Sequence, residues 1–202
     1  MKLAKFIIIT FFIGAGTSTH AQKIKLKEGS VEALKNEKAF KFEYNYDSMS
    51  VGEFPKEADF VAKRTLELNQ SNPGRGDKWA ASWVSDRKDL CEPKFEDEFN
   101  REFKTIEDAD TKYTIIVHTT ATEPGYMGSV AGILPGGKKA AEITAEITIV
   151  ETADHTKKIA VITIERAEGR QTSHGMIYDE HLRISLAYGR LARDLAKFIK
   201  KK

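Results

Sequence analysis

The sequence predicts an α+β domain of two layers, an about four-stranded mixed sheet with a long C-terminal helix and an inserted helical segment packed on it. Three observations lead there. Residues 39–46 alternate aromatic and polar side chains, residues 113–166 hold three β-branched alternating runs, and residues 177–198 carry an unbroken helical stripe. The order strand, helices, strands, helix is that of an α+β or two-layer α/β fold.

Element by element, Ile24 and Leu26 open with a short alternation. Phe40, Phe42, Tyr44 and Tyr46 then face one way and Lys41, Glu43 and Asn45 the other, which is a strand with one buried face. Pro55 suits a first helical turn. Ala58, Val61, Ala62, Thr65 and Leu66 recur after it at helical spacing, predicting about three turns of helix. Residues 69–77 contain Pro73, Gly74 and Gly76 and read as an exposed turn. Within it Arg75, Gly76 and Asp77 are turn chemistry rather than an adhesion motif.

Trp79, Ala80, Trp83 and Leu90 fall at helical offsets, and Phe95, Phe99 and Phe103 lie four apart on one helical face, so a helical pair broken at Pro93 is expected. Strands are expected over 113–122, 141–151 and 158–166, with Ile143, Ala145, Ile147 and Ile149 on one face of the second. Residues 153–156 make a turn that joins the last two as an antiparallel hairpin. The final helix follows a four-three stripe through Ile177, His181, Ile184, Tyr188, Leu191, Leu195 and Phe198, widened by Leu182, Ala187 and Ile199. Lys197, Lys200, Lys201 and Lys202 complement the negative end of its dipole. The stripe must be buried, and the sheet is the available surface.

Composition bounds the class. The chain has 202 residues, 41% hydrophobic and 31% charged, which excludes disordered, collagen-like and disulfide-dense proteins and suits one domain. Lys2 and Lys5, the apolar run 6–13 and the small-x-small site Thr19, His20, Ala21 read as a Sec signal peptide over 1–21, leaving 22–202 as a single globular domain. Removing those two lysines from 32 basic residues leaves 30, against 30 acidic ones, so no global field recruits nucleic acid or anionic lipid. No later segment reaches the roughly 20 apolar residues of a spanning helix. The expected location is periplasmic or extracellular, with no membrane span after leader cleavage.

Cys91 is the single cysteine, so no internal disulfide can form, and Asp89 and Glu92 beside it argue against a reactive thiolate. Residues 132–139 match the spacing of a phosphate-binding loop. However, Lys139 stands where that loop needs Ser or Thr, and a strand follows where it needs a helix, so a glycine-rich hairpin loop is the reading. His118, His155, His174 and His181 show no metal-ligand spacing, and neither a metal nor a cofactor is expected.

Two surfaces remain as candidates. The loop 123–139 displays Tyr126, Met127, Val130, Ile133 and Leu134 with Lys138 among five glycines, more apolar than an idle loop. The helix bearing Trp79, Trp83 and Asp86 could instead form a cleft with His174 or His181. The first points to a non-catalytic binding or assembly module of the periplasm or cell envelope, with an envelope protein or polymer as partner. The second points to an exported hydrolase or carbohydrate-binding protein. Convergence of polar groups in a concave pocket would favour the second.

The stretches 44–49 (YNYDSM) with Val51 and Gly52, 74–79 (GRGDKW) with Trp83, 92–95 (EPKF) and 113–124 (YTIIVHTTATEP) together resemble a family of uncharacterised secreted proteins from Gram-negative bacteria. The resemblance covers most of the chain after the leader and implies export and a single domain. It brings no catalytic residues. More distantly, the element order is similar to periplasmic CsgG-like lipoprotein domains, in which a linker between strands can become a membrane-inserting hairpin. This chain lacks the anchoring cysteine and the long alternating insertion, so pore formation is not expected.

Overall fold

A computed structural model describes residues 22–107, 109–128, 138–169 and 179–202, with Met127 and Lys138 described by their backbone alone. The expected leader 1–21 lies outside the described residues. The chain folds as β1 (Lys23–Gly29), β2 (Lys41–Asn45), β3 (Ser50–Val51), α1 (Glu57–Ser71), α2 (Arg75–Asp86), α3 (Glu92–Phe103), β4 (Tyr113–Glu123), β5 (Tyr126–Met127), β6 (Lys138–Lys139), β7 (Glu142–Glu151), β8 (Asp154–Glu168) and α4 (Glu180–Lys201). This is the expected α+β architecture.

The main sheet has six strands in the order β1-β8-β7-β4-β2, with β3 also on β4. β2 and β3 run parallel to β4 and the other pairs are antiparallel, so the sheet is mixed. The two strands beyond the expected four are the weakest in pattern. β1 is an edge strand whose Ile24 and Leu26 are only partly buried, and β3 is two residues long. The predicted hairpin forms, but it turns at Thr152 and Ala153, and β8 begins at Asp154, inside the stretch expected to be the turn.

Among the described residues, the helices lie on one face of the sheet. Ile115 and Val117 of β4, Ile143, Ala145, Ile147 and Ile149 of β7, and Ile162 and Ile164 of β8 are fully buried under the helices. The opposite face carries the polar cross-strand row Asn45, His118, Glu146, Thr163 and Lys25, with Val150 and Val161 buried elsewhere on it. A pleat that buries alternate residues on one side and solvates the other explains the alternation read in these strands.

The helical layer rests on two helices. α4 buries Ile184, Ala187, Tyr188, Leu191, Ala192, Leu195, Ala196 and Ile199. Leu182, expected to widen this stripe, is exposed at the helix start, beyond the sheet that would cover it. α3 lies beside α4 and runs in the same direction, since Glu98 meets Arg193 at 2.9 Å and Glu102 meets Lys197 at 3.7 Å. Burial opposes ionisation of Glu98, but the hydrogen bonds from Lys94 and Arg193 outweigh it and hold the carboxyl below its usual range. Phe95, Phe99 and Phe103 stack along α3 at 6.3 and 5.3 Å and meet Phe40 and Phe42 of the β2 segment edge-on.

Three expectations for the inserted helices change. α2 and α3 form one continuous run joined by a π-helical turn at Arg87–Cys91, and Pro93 sits just after that turn, at the start of α3, rather than at a break. α1 continues to Ser71 and α2 starts at Arg75, so Arg75, Gly76 and Asp77 are a first helical turn instead of an exposed loop. Gly76 is buried there, and a Cβ on it would stand 2.1 Å from the Thr65 carbonyl oxygen. The inward face of α1 is Phe60, Val61, Arg64, Thr65 and Leu68, while Ala58, Ala62 and Leu66 face water. The aromatic cluster on α2 is the partner that selects the Phe60 side.

Candidate binding groove

The residues that shape the site come from four places. α1 contributes Phe60 and Arg64, α2 contributes Trp79, the start of α4 contributes His181 and Arg183, and the segment joining β4 to β6 contributes Tyr126 and Lys139. Together they bound an open groove of about 750 Å³.

Aromatic rings form one wall. Phe54 and Phe60 have centroids 5.9 Å apart, Phe60 and Trp79 5.8 Å, and Trp79 and His181 6.2 Å. Trp83 lies beneath this strip, 5% exposed and 5.1 Å from Phe60 and 5.4 Å from Trp79. Its indole Nε1 donates to Glu57, which also receives the guanidinium of Arg87. The two tryptophans therefore part roles. Trp83 is core, and Trp79 is half-buried in the wall, its indole Nε1 buried with no acceptor among the described residues.

His181 is fixed from both sides of its helix start. Asp179 caps α4 by accepting from Leu182 N at 2.9 Å, and Asp86 takes the imidazole Nδ1 at 2.9 Å. The carboxylate on Nδ1 fixes the orientation of the imidazole ring. His181 also lines a cavity of about 30 Å³ below the groove, together with Tyr46, Cys91 and Tyr188. Burial pushes the Cys91 thiol up to about 12, with Asp86 and Glu92 adding to the effect, so it is not a nucleophile. Tyr188 bonds Thr119 at 2.7 Å, and burial holds its phenol protonated.

The opposite wall is the base of the β5–β6 ladder, in which Tyr126 pairs with Lys139 and Met127 with Lys138. Gly125 makes the turn into it at φ 67°, and a Cβ there would stand 2.3 Å from the Lys139 carbonyl oxygen, so only glycine fits. Glu123 holds this base by accepting from Gly125 N at 3.0 Å and Lys139 Nζ at 2.6 Å. Arg183, 6% exposed, ties it to α4 by donating to the carbonyls of Pro124 and Gly125 at 3.3 and 3.4 Å. Burial draws its pKa down, against the pull of Glu180 and Asp179.

Trp79, Trp83, Asp86 and His181 thus come together as one cluster, and Tyr126 of the other candidate surface, 54% exposed, faces the same groove. Of the cleft that the second sequence reading required, Trp79 and His181 line the groove, whereas Trp83 and Asp86 line only the small cavity beneath it. Ile133, Leu134 and His174 lie outside the described residues, as do Val130 and the part of the glycine-rich motif over 132–137. Lys138 and Met127 sit in the ladder by backbone. Sequence reasoning did not find Phe54, Phe60, Arg64, Glu123 or Arg183. Phe60 carried a signal, since it stands three residues before Lys63 and four before Arg64 on a helix whose stripe fits it as well as its neighbours.

Among the described residues no group of three His, Cys, Asp or Glu is placed to hold a metal ion, and no helix is long and apolar enough to cross a membrane. No protein-family model and no curated protein matches this chain. Among solved structures, it is similar to a PelC variant dodecamer from Paraburkholderia phytofirmans in space group C2, 8% identical over 89% of this chain and 98% of that one, with a TM-score of 0.34. It is similar to the PelC dodecamer from Paraburkholderia phytofirmans in space group P6 at 9% identity over 90% and 99%, also with a TM-score of 0.34. We infer nothing about the groove from these similarities.

Proposed function

We propose that the protein is an exported, non-catalytic binding or assembly module of the periplasm or cell envelope, and that the groove is its contact surface for an envelope protein or polymer. One observation carries this reading. Trp79 and Tyr126, 47 positions apart in sequence and proposed on separate grounds, line the same concave surface. Aromatic side chains left half-open in a groove, with fixed polar groups beside them, are what a binding site offers. The leader-like residues 1–21 support export.

Affinity capture from native envelope extract tests the reading, with Tyr126→Ala as the comparison. Capture of a partner by the native protein and its loss by the variant are expected. Equal capture by both would move the contact surface elsewhere. Intact mass of the exported protein checks the leader, with a chain starting at Gln22 expected.

The Asp86 and His181 pair favours the second reading, an exported hydrolase or carbohydrate-binding protein, and in the hydrolase the oriented imidazole acts as general base. Against it, the thiol in the same cavity is held protonated, Thr122 is turned to the Met49 sulfur at 3.2 Å, and Ser185 donates to its own helix at Leu182 O. Activity against envelope polymers that disappears in Asp86→Asn would make this second reading the correct one.

A further inference from the structure

We infer that the groove takes a neutral glycan, a chain of uncharged sugar rings lying along the strip Phe54, Phe60, Trp79 and His181 with Tyr126 across from it. The inference rests on the proposal that the groove is the contact surface, and it names the chemistry of the occupant.

Charge is the first argument. Lys63, Arg64, Arg75, Lys139 and Arg183 line the groove, but so do Glu53, Glu67, Glu123, Asp179 and Glu180. Most are already engaged with one another or with backbone. Lys139 is on Glu123 at 2.6 Å, Arg64 on Glu67 at 3.6 Å, Lys63 between Glu53 and Glu67 at 3.8 and 4.0 Å, and Arg183 on two carbonyls. A phosphorylated or polyanionic ligand would meet as many carboxylates as cations, and a polycation would meet the reverse. A neutral ligand loses nothing by this balance, and the engaged ion pairs still offer spare lone pairs and N–H groups to hydroxyls.

Shape and polarity are the second. Successive rings in the wall lie 5.8 to 6.2 Å apart and are inclined to one another by 59 to 69°, making a continuous apolar strip against which the C–H side of a sugar can rest. One polar atom of that wall, the Trp79 indole N–H, is buried without a protein acceptor among the described residues, and a sugar hydroxyl oxygen brought against it can accept from it.

Chitohexaose, cellohexaose and maltohexaose are the neutral probes, with polygalacturonate as the polyanion and triglycine as an uncharged-side-chain peptide. The chain has two tryptophans, so labelling tryptophan with nitrogen-15 yields two indole resonances, Trp79 and the Glu57-bonded Trp83. At least one hexasaccharide at millimolar concentration is expected to move the Trp79 resonance more than the Trp83 one, and Tyr126→Ala to weaken that binding by about tenfold. Tyr126 is exposed, so this variant folds and remains informative even where Trp79→Ala does not. Silence from all three sugars, or a response only to polygalacturonate or triglycine, overturns the glycan assignment. If Tyr126→Ala still abolishes partner capture, the groove reading survives that failure. Sugar binding that Tyr126→Ala leaves unchanged overturns the glycan assignment to this groove.

Discussion

Two aromatic seams of this molecule use the same residues for opposite ends. In the first, Phe95, Phe99 and Phe103 of α3 stack on one another and close edge-on over Phe40 and Phe42, leaving Phe95 and Phe99 with no exposure. In the second, Phe60, Trp79 and His181 sit at similar spacings, but the wall across from them is the base of a two-residue ladder, and the space between stays open. The first series stacks along one helix, and the second gathers one ring from each of three helices. What differs is the element opposite, the β2 strand at packing distance in one case and, in the other, a two-residue ladder whose base Arg183 ties to the start of α4. Aromatic periodicity marks a face that must be covered and is silent about whether protein or ligand covers it.

The comparison breaks if the closed seam is not the stability centre. Phe99→Ala removes a fully buried ring that touches Phe40, Phe42, Phe95 and Phe103, and chemical denaturation should show a loss of about 3–5 kcal/mol. Against a total stability of about 5–15 kcal/mol, that brings the fold close to its limit. Leu195→Ala on α4, also fully buried, should cost about 2–5 kcal/mol, checked in the same way. Losses under 1 kcal/mol in both would mean the helices do not close on the sheet as described.

A smaller effect sharpens the boundary between the seams, where tyrosines are buried. Burial raises the phenol pKa of Tyr44, Tyr46 and Tyr188, with Glu96 acting further on Tyr44 and Glu92 on both Tyr44 and Tyr46. Their folded-state values lie above the unfolded value of about 10, so the stability they contribute is complete below about pH 10 and is lost as pH rises beyond it. Each should subtract up to about 1.4 kcal/mol per pH unit in that range. Melting temperature followed from pH 9 to 11 alongside tyrosinate absorbance checks this, and Tyr188→Phe should flatten the decline.

The smallest effect is expected on the open side. Tyr126→Ala should change stability by no more than about 0.5 kcal/mol, because the ring is 54% exposed and makes no described hydrogen bond. A melting temperature that falls as far as in Leu195→Ala would make the ladder base part of the core, and the contrast between the seams would disappear.

The strands β2, β4, β7 and β8, the helix α4 and the phenylalanine face of α3 were legible in the sequence alone, because each buries one side against a continuous layer and its pattern repeats at the period of its own backbone. The α1 face was not. Arg64 belongs to it and Leu66 does not, and only the position of Phe60 against Trp79 and Trp83 makes that so. The groove was legible as two fragments. Trp79, Trp83 and Asp86 stand near one another in the chain, and Tyr126 stands out in a glycine-rich loop, but nothing local joins them. Their meeting depends on the β2-to-β4 crossover, which carries α1 and α2 over one end of the sheet, and on Asp179 starting α4 where His181 can reach Asp86. Periodicity is a property of one element and survives in the sequence. A groove is a property of the space between elements, so its residues carry no shared signal until the chain has folded.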